Sequence, residues 1–232
     1  MKIQKRIAHL GYCSRRQAEA LILQNKVKVN SSFATIGQIV SDQDIIEING
    51  KILVEKENEK EYYLLHKPPK TISSTKDEKN RQVVTDLVKS KSRVYPVGRL
   101  DYNTTGVLIL TNDGDLTQKL LHPKYQIKRL YHCKLDIPLE EKELIYLNEE
   151  KIYIDKKLSI HKVLQVEKKS YLVELHQGSY HHVKKIFEKV NRKVVKLKRL
   201  AFGPITIDNL PEGYFRKLTF KEIKTLKALT RD

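Results

Sequence analysis

One short stretch does most to limit what this 232-residue chain can fold into. Glu55-Lys-Glu-Asn-Glu-Lys-Glu61 is charged at every position but one and holds no apolar residue to bury. A core cannot run through such a segment, so it predicts a linker between two separately packed parts. The expected division is a small module over 1–54, the linker over 55–61 and a larger domain over 62–232.

The small module opens with Ile3, Ile7 and Leu10 on one helical face, and Gly11 is placed to end that helix. Ser14 followed by Gln17 is a capping-box pattern and predicts a second helix running to about Asn25. Its first turn carries Arg15 and Arg16, an unfavourable place for cations on a helix dipole. An anionic ligand explains them better than helix stability does. Val27-Lys-Val29 and Ile46-Glu-Ile48 alternate as short half-exposed strands do.

In the larger part, strand patterns fall at 62–66, 107–111, 131–135, 163–167, 171–175 and 193–199. Helical patterns fall at about 139–149, 180–190 and 220–229, with Thr219 and Glu222 as a further capping box. Strands with helices placed irregularly among them predict an α+β domain on a mixed, largely antiparallel sheet.

Charge points to the partner. Lys and Arg number 45 against 28 Asp and Glu, a formal net charge of +17, and a basic surplus of this size is the electrostatic mark of a nucleic-acid binder. Between Lys184 and Arg199 there are eight basic residues and one acid, read as a basic track along one face. No apolar run approaches the length of a membrane-spanning helix. Cys13 and Cys133 offer no disulfide framework, which fits a reducing, cytoplasmic setting and a role as small hydrophobes. His176, His181 and His182 have neither a cysteine nor a well-spaced carboxylate beside them and are not read as a metal centre. With no Walker loop or GxGxxG, no cofactor is expected.

The segment Pro96-Val-Gly-Arg-Leu-Asp-Tyr-Asn-Thr-Thr-Gly106 puts Arg99 and Asp101 in a loop just before a buried strand, where a carboxylate can face a cleft from a rigid scaffold. Taken alone, such an Asp is more often a turn residue than a catalyst. Gly98-Arg-Leu-Asp101 with Thr104, Gly106 and Leu110-Thr-Asn-Asp-Gly114 nevertheless resembles the signature loop of the RsuA/RluB-type pseudouridine synthases. Further likenesses follow in the family's order: His66-Lys-Pro-Pro69, Tyr131-His-Cys-Lys134, Gly178-Ser-Tyr-His-His-Val-Lys184, Val194 to Pro204 and Gly213 to Glu222. The N-terminal module is similar to the S-four type of RNA-binding domain. Lys70, Gln177, His182 and Asn103 depart from the usual pattern, which has Gly, Glu, Gln and Asp there.

The resemblance implies isomerisation of uridine in ribosomal RNA, through base flipping, without a cofactor. It makes Asp101 the catalytic carboxylate, Tyr131 the ring that meets the base, and Lys184 the cation that keeps Asp101 ionised. Arg15, Arg16, Lys67, Arg99, Lys185 and Arg199 are the expected RNA contacts. Tyr180-His-His-Val-Lys184 is closer to the small-subunit branch of the family, so a uridine of small-subunit RNA, within an assembly intermediate and with the enzyme as a monomer, is the expectation. A large-subunit enzyme and a non-catalytic assembly factor are the alternatives.

Overall fold

The computed structural model describes residues 1–54 and 59–231. Two compact units form, Met1–Lys60 and Glu61–Asp232. Of the expected linker, 55–58 lie outside the described residues, and Glu61 is part of the larger unit. Its amide donates to Asn112 Oδ1 (2.9 Å), its carboxylate accepts from Tyr63 Oη and the Ser92 amide, and its carbonyl accepts from Thr111 Oγ1 (2.6 Å). Those four partners anchor it to the larger unit, just ahead of that unit's first strand, rather than leave it as a spacer.

The first unit runs α1 (Ile3–His9), α2 (Arg15–Leu23), β1 (Val27–Val29), β2 (Ser32–Phe33), β3 (Ile46–Ile48) and β4 (Lys51–Ile52), the strands ordered β2-β1-β3-β4. The capping box forms as the sequence predicts: the Gln17 amide donates to Ser14 Oγ, and the Ser14 amide to Gln17 Oε1. Ile3, Ile7, Ala18 and Ile22 close over Val27, Val29, Ile46 and Ile48.

In the larger unit come β5 (Tyr62–Lys67), β6 (Tyr95–Pro96), β7 (Thr105–Thr111), α3 (Gly114–Leu121), β8 (Arg129–Leu135) and α4 (Glu141–Glu149). These are followed by β9 (Tyr153–Ile154), β10 (Lys157–Leu158), β11 (His161–Glu167), β12 (Ser170–Leu175) and α5 (His182–Glu188). The unit closes with β13 (Val194–Phe202), β14 (Ile205–Thr206), β15 (Phe215–Lys217) and α6 (Phe220–Ala228). Its main sheet runs β11-β12-β8-β13-β7-β5-β15, with β14 on β13 and β6 on β7. β13 and β7 are parallel and the other described pairs antiparallel. This is the mixed α+β architecture the alternating segments predict.

Both faces of the central strands are covered. In β5 and β7, Tyr63, Leu65, Leu108 and Leu110 enter one core, while Tyr62, Leu64, Val107 and Ile109 enter the other. Period-two geometry divides each strand between the two cores, and each fully buried Leu adds about 1.5–3 kcal/mol. Cys133 lies in this interior, where burial pushes its thiol up to about 12 and leaves it inert. No helix among the described residues is long and apolar enough to cross a membrane.

Gly106 sets how closely β7 and β13 approach. It is held at φ +113°, and a β-carbon there would stand 2.1 Å from Arg199 O and 2.6 Å from Arg199 N. Only glycine fits.

Candidate active site

Asp101 sits in the loop between β6 and β7, and buried hydrogen bonds hold that loop. Lys67, at the end of β5, is wholly buried, and its Nζ donates to Thr104 O (2.9 Å), Tyr102 O (3.2 Å) and Pro68 O (2.9 Å). Ser73 Oγ donates to Leu100 O and accepts from the Leu100 amide, and the Thr104 amide donates to Asp101 O (3.0 Å). The residues on each side of Asp101 are therefore pinned from the interior, and its carboxylate is left half-exposed.

Lys67 was expected on RNA, and the structure corrects this. Its ammonium is spent on three backbone carbonyls, and burial lowers its pKa to about 8, above neutrality, so it stays the donor they need.

Lys184, on the first turn of α5, reaches Asp101 Oδ2 at 2.7 Å. His181, just before that helix, places Nε2 3.5 Å from Asp101 Oδ1, and its ring stacks on Tyr180 at 3.8 Å between centroids. His181 adopts a left-handed φ of +56°, which turns its ring toward the loop. In the sequence His181 is one residue of the Tyr180-His-His-Val-Lys184 motif and is not read as a metal ligand, and no local signal there places it beside Asp101.

His182 points the other way. It is buried, with Nε2 2.7 Å from Ser159 Oγ and the Ser179 amide donating to its Nδ1 at 3.3 Å. It ties the loop before α5 to the segment leading into β11. Lys70 is held at φ +55°, a conformation that explains the glycine expected there.

A cavity of about 360 Å³ opens beside Asp101, lined by Arg99 and Leu100, by Tyr131 and Arg129 of β8, by Tyr180 to Val183, and by Leu197, Arg199 and Phe202 of β13. Tyr131 is buried in its wall. Arg99 is exposed, and Arg15 and Arg16 are exposed on the first unit.

The basic track from 184 to 199 does not line one face. Lys184 pairs with Asp101, Lys185 with Asp155 (2.6 Å) and Arg192 with Glu143 (2.7 Å). Arg199 turns inward, 2 % exposed, its Nε donating to Val107 O (2.7 Å). Strand alternation accounts for this: Lys196 and Lys198 share one side of β13, and Arg199 falls on the other. As a contact for the RNA backbone Arg199 is therefore misplaced; what it can meet is whatever enters the cavity. Arg129 was overlooked, although the same period places it on one side of β8 with Tyr131.

Comparison with known proteins fits this arrangement. The model for RNA pseudouridylate synthase matches residues 61–189, and that for the S4 domain matches residues 1–46. The chain belongs to the RNA pseudouridylate synthase family. It is 42% identical to the ribosomal large subunit pseudouridine synthase B of Bacillus subtilis, over 98% of this chain and 96% of that protein. It is 29% identical to the dual-specificity RNA pseudouridine synthase RluF of Escherichia coli, over 99% of this chain and 79% of that one. A crystal structure of a pseudouridylate synthase superposes with a TM-score of 0.71 at 28% identity, covering 97% of this chain and 99% of the other. This protein is an RNA pseudouridine synthase, an isomerase carrying an RNA-binding module at its N-terminus.

Proposed function

We propose that this synthase isomerises a uridine of large-subunit ribosomal RNA and that Asp101, Lys184 and Tyr131 carry the reaction. The observation that carries the reading is the 2.7 Å ion pair of Lys184 with Asp101 at a cavity that also holds Tyr131. A uridine stacked in RNA cannot reach Asp101, so the nucleotide flips into the cavity. Lys184 faces the carboxylate there as its counter-ion. The carboxylate then acts on the sugar, as nucleophile at C1′ or as base at C2′. Tyr131 offers its ring to the flipped base. Arg99, exposed at the rim, is positioned for the displaced backbone, Lys185 lies farther along α5, and Arg15 and Arg16 meet phosphates elsewhere on the RNA.

The large-subunit name of the 42%-identical relative supports this substrate over the small-subunit one that the Tyr180 to Lys184 motif suggests. One chain supplies all three residues, which supports action as a monomer, and a ribosomal RNA substrate supports a cytoplasmic location. The test is to map pseudouridines in ribosomal RNA from cells with and without the protein. Loss of one large-subunit site supports the proposal; loss only at a small-subunit site refutes its choice of substrate.

A further inference from the structure

Among the described residues, two cations in the cavity have no carboxylate to answer them. Arg129 is 7 % exposed and Arg199 2 %, and among the described residues Arg129 Nη1 and Arg199 Nη2 have no hydrogen-bond partner. Both guanidinium carbons lie 5.2 Å from the Phe202 ring centroid. No described salt bridge involves either, since the Asp101 charge is taken up by Lys184. Burial and the nearby Arg199 charge lower the pKa of Arg129. Leaving two like charges and two donors buried and unpaired is costly, so the cavity is built for something negative.

Depth selects what that is. Arg129 and Arg199 lie at the wall with Tyr131 and Phe202, all less than a tenth exposed, whereas Arg99 at the rim is open. A phosphodiester must stay continuous with RNA on both sides and is held at the rim. A flipped base can go to the floor. Uracil arrives neutral, but it turns negative during the reaction.

Resting on the proposed role of Asp101, we propose that Arg129 and Arg199 stabilise the detached uracil as an anion. When the C1′–N1 bond breaks, its electron pair passes to the ring and spreads over N1, O2 and O4. At the sugar the lost bond is replaced by the Asp101 carboxylate adding to C1′, or by a C1′–C2′ double bond as the C2′ proton passes to that carboxylate. The guanidiniums donate hydrogen bonds to the ring oxygens and keep their protons. Uracil turns and rejoins C1′ through C5, Asp101 leaving or returning its proton, and the C5 proton ends on N1, so nothing is gained or lost overall. Donors fixed in a closed site before charge develops act on the transition state more than on the bound substrate.

The test compares an RNA carrying uridine at the target with the same RNA carrying 5-fluorouridine, whose ring withdraws electrons and bears the departing charge more easily. The full-length chain is used in single turnover with enzyme in excess, reading loss of the N-glycosidic nucleoside, together with RNA affinity. Arg129→Gln and Arg199→Gln are each expected to slow uridine cleavage about 100-fold, the usual loss for one such donor. On 5-fluorouridine RNA the loss should shrink at least severalfold, with affinity unchanged. Equal slowing on both RNAs overturns the proposal, as does a loss of affinity with a shallower salt dependence, which assigns the pair to phosphate. Where a Gln variant fails to fold, Arg→Lys at the same position keeps charge and bulk and must show the same substrate-dependent, smaller loss. Wild type and Asp101→Asn run alongside: cleavage that survives in Asp101→Asn refutes the role of Asp101, a failure separate from that of the arginines.

Discussion

Gly106 and Arg199 touch through their backbones, with no room between them for a single methyl group. The parallel pairing of β7 with β13 depends on that contact, and so do the start of the strand after the Asp101 loop and the placement of Arg199 in the cavity wall. Gly106→Ala is expected to lower unfolding free energy by about 3 kcal/mol or more, since it adds both a clash and a strained φ. Urea denaturation checks this. A variant within about 0.5 kcal/mol of wild type, the usual range for a harmless substitution, would show that the two strands can part without cost.

Lys67→Met should act through the loop and not through RNA charge. It strands the buried Thr104 carbonyl at about 1–3 kcal/mol and takes the donor from the part-buried Pro68 and Tyr102 carbonyls, so stability and turnover fall together. Because the ammonium meets no phosphate, the slope of log affinity against log salt should stay at the wild-type value, measured by titration from low to moderate salt. A slope shallower by about one unit would return Lys67 to the RNA interface.

His182 supplies a pH dependence whose sign can be worked out. Burial, with His161 and other cations nearby, lowers its pKa from about 6.5 to about 4. The unfolded chain therefore binds a proton that the folded chain refuses between those values. Stability is unaffected above about pH 6.5 and falls as pH drops toward 4, by up to about 1.4 kcal/mol per unit. His182→Gln keeps a polar group for Ser159 and removes the titration. Its denaturation midpoint should fall less steeply than that of wild type from pH 6.5 to 4.5, and an identical profile would contradict the assignment.

Much of the fold was legible because period and punctuation carry it. Ser14 with Gln17 and Thr219 with Glu222 form the boxes their spacing predicts, and Val107 to Leu110 is buried on both faces. At the candidate site, the contact of Asp101 with Lys184 across 83 residues was legible from family likeness and not from any local signal. The misses share one physical cause. Lys67, Arg199 and Arg129 are cations turned into the protein, and charge counted along a sequence does not say which way a side chain faces. Alternation along β8 and β13 held the answer, but only once Tyr131 was known to line the cavity. Glu61 was read as linker because its charge hides four hydrogen bonds to residues up to 51 positions away.

The central claim is that the Asp101 carboxylate, held by Lys184, performs the isomerisation. Asp101→Asn keeps shape and removes the charge, so the direct measurement is pseudouridine formed on ribosomal RNA by this variant, with RNA affinity measured on the same preparation. The account predicts no detectable pseudouridine while affinity stays within about threefold, a change of under 1 kcal/mol. Pseudouridine formation above about a tenth of the wild-type rate, a barrier change of under about 1.4 kcal/mol, would contradict it.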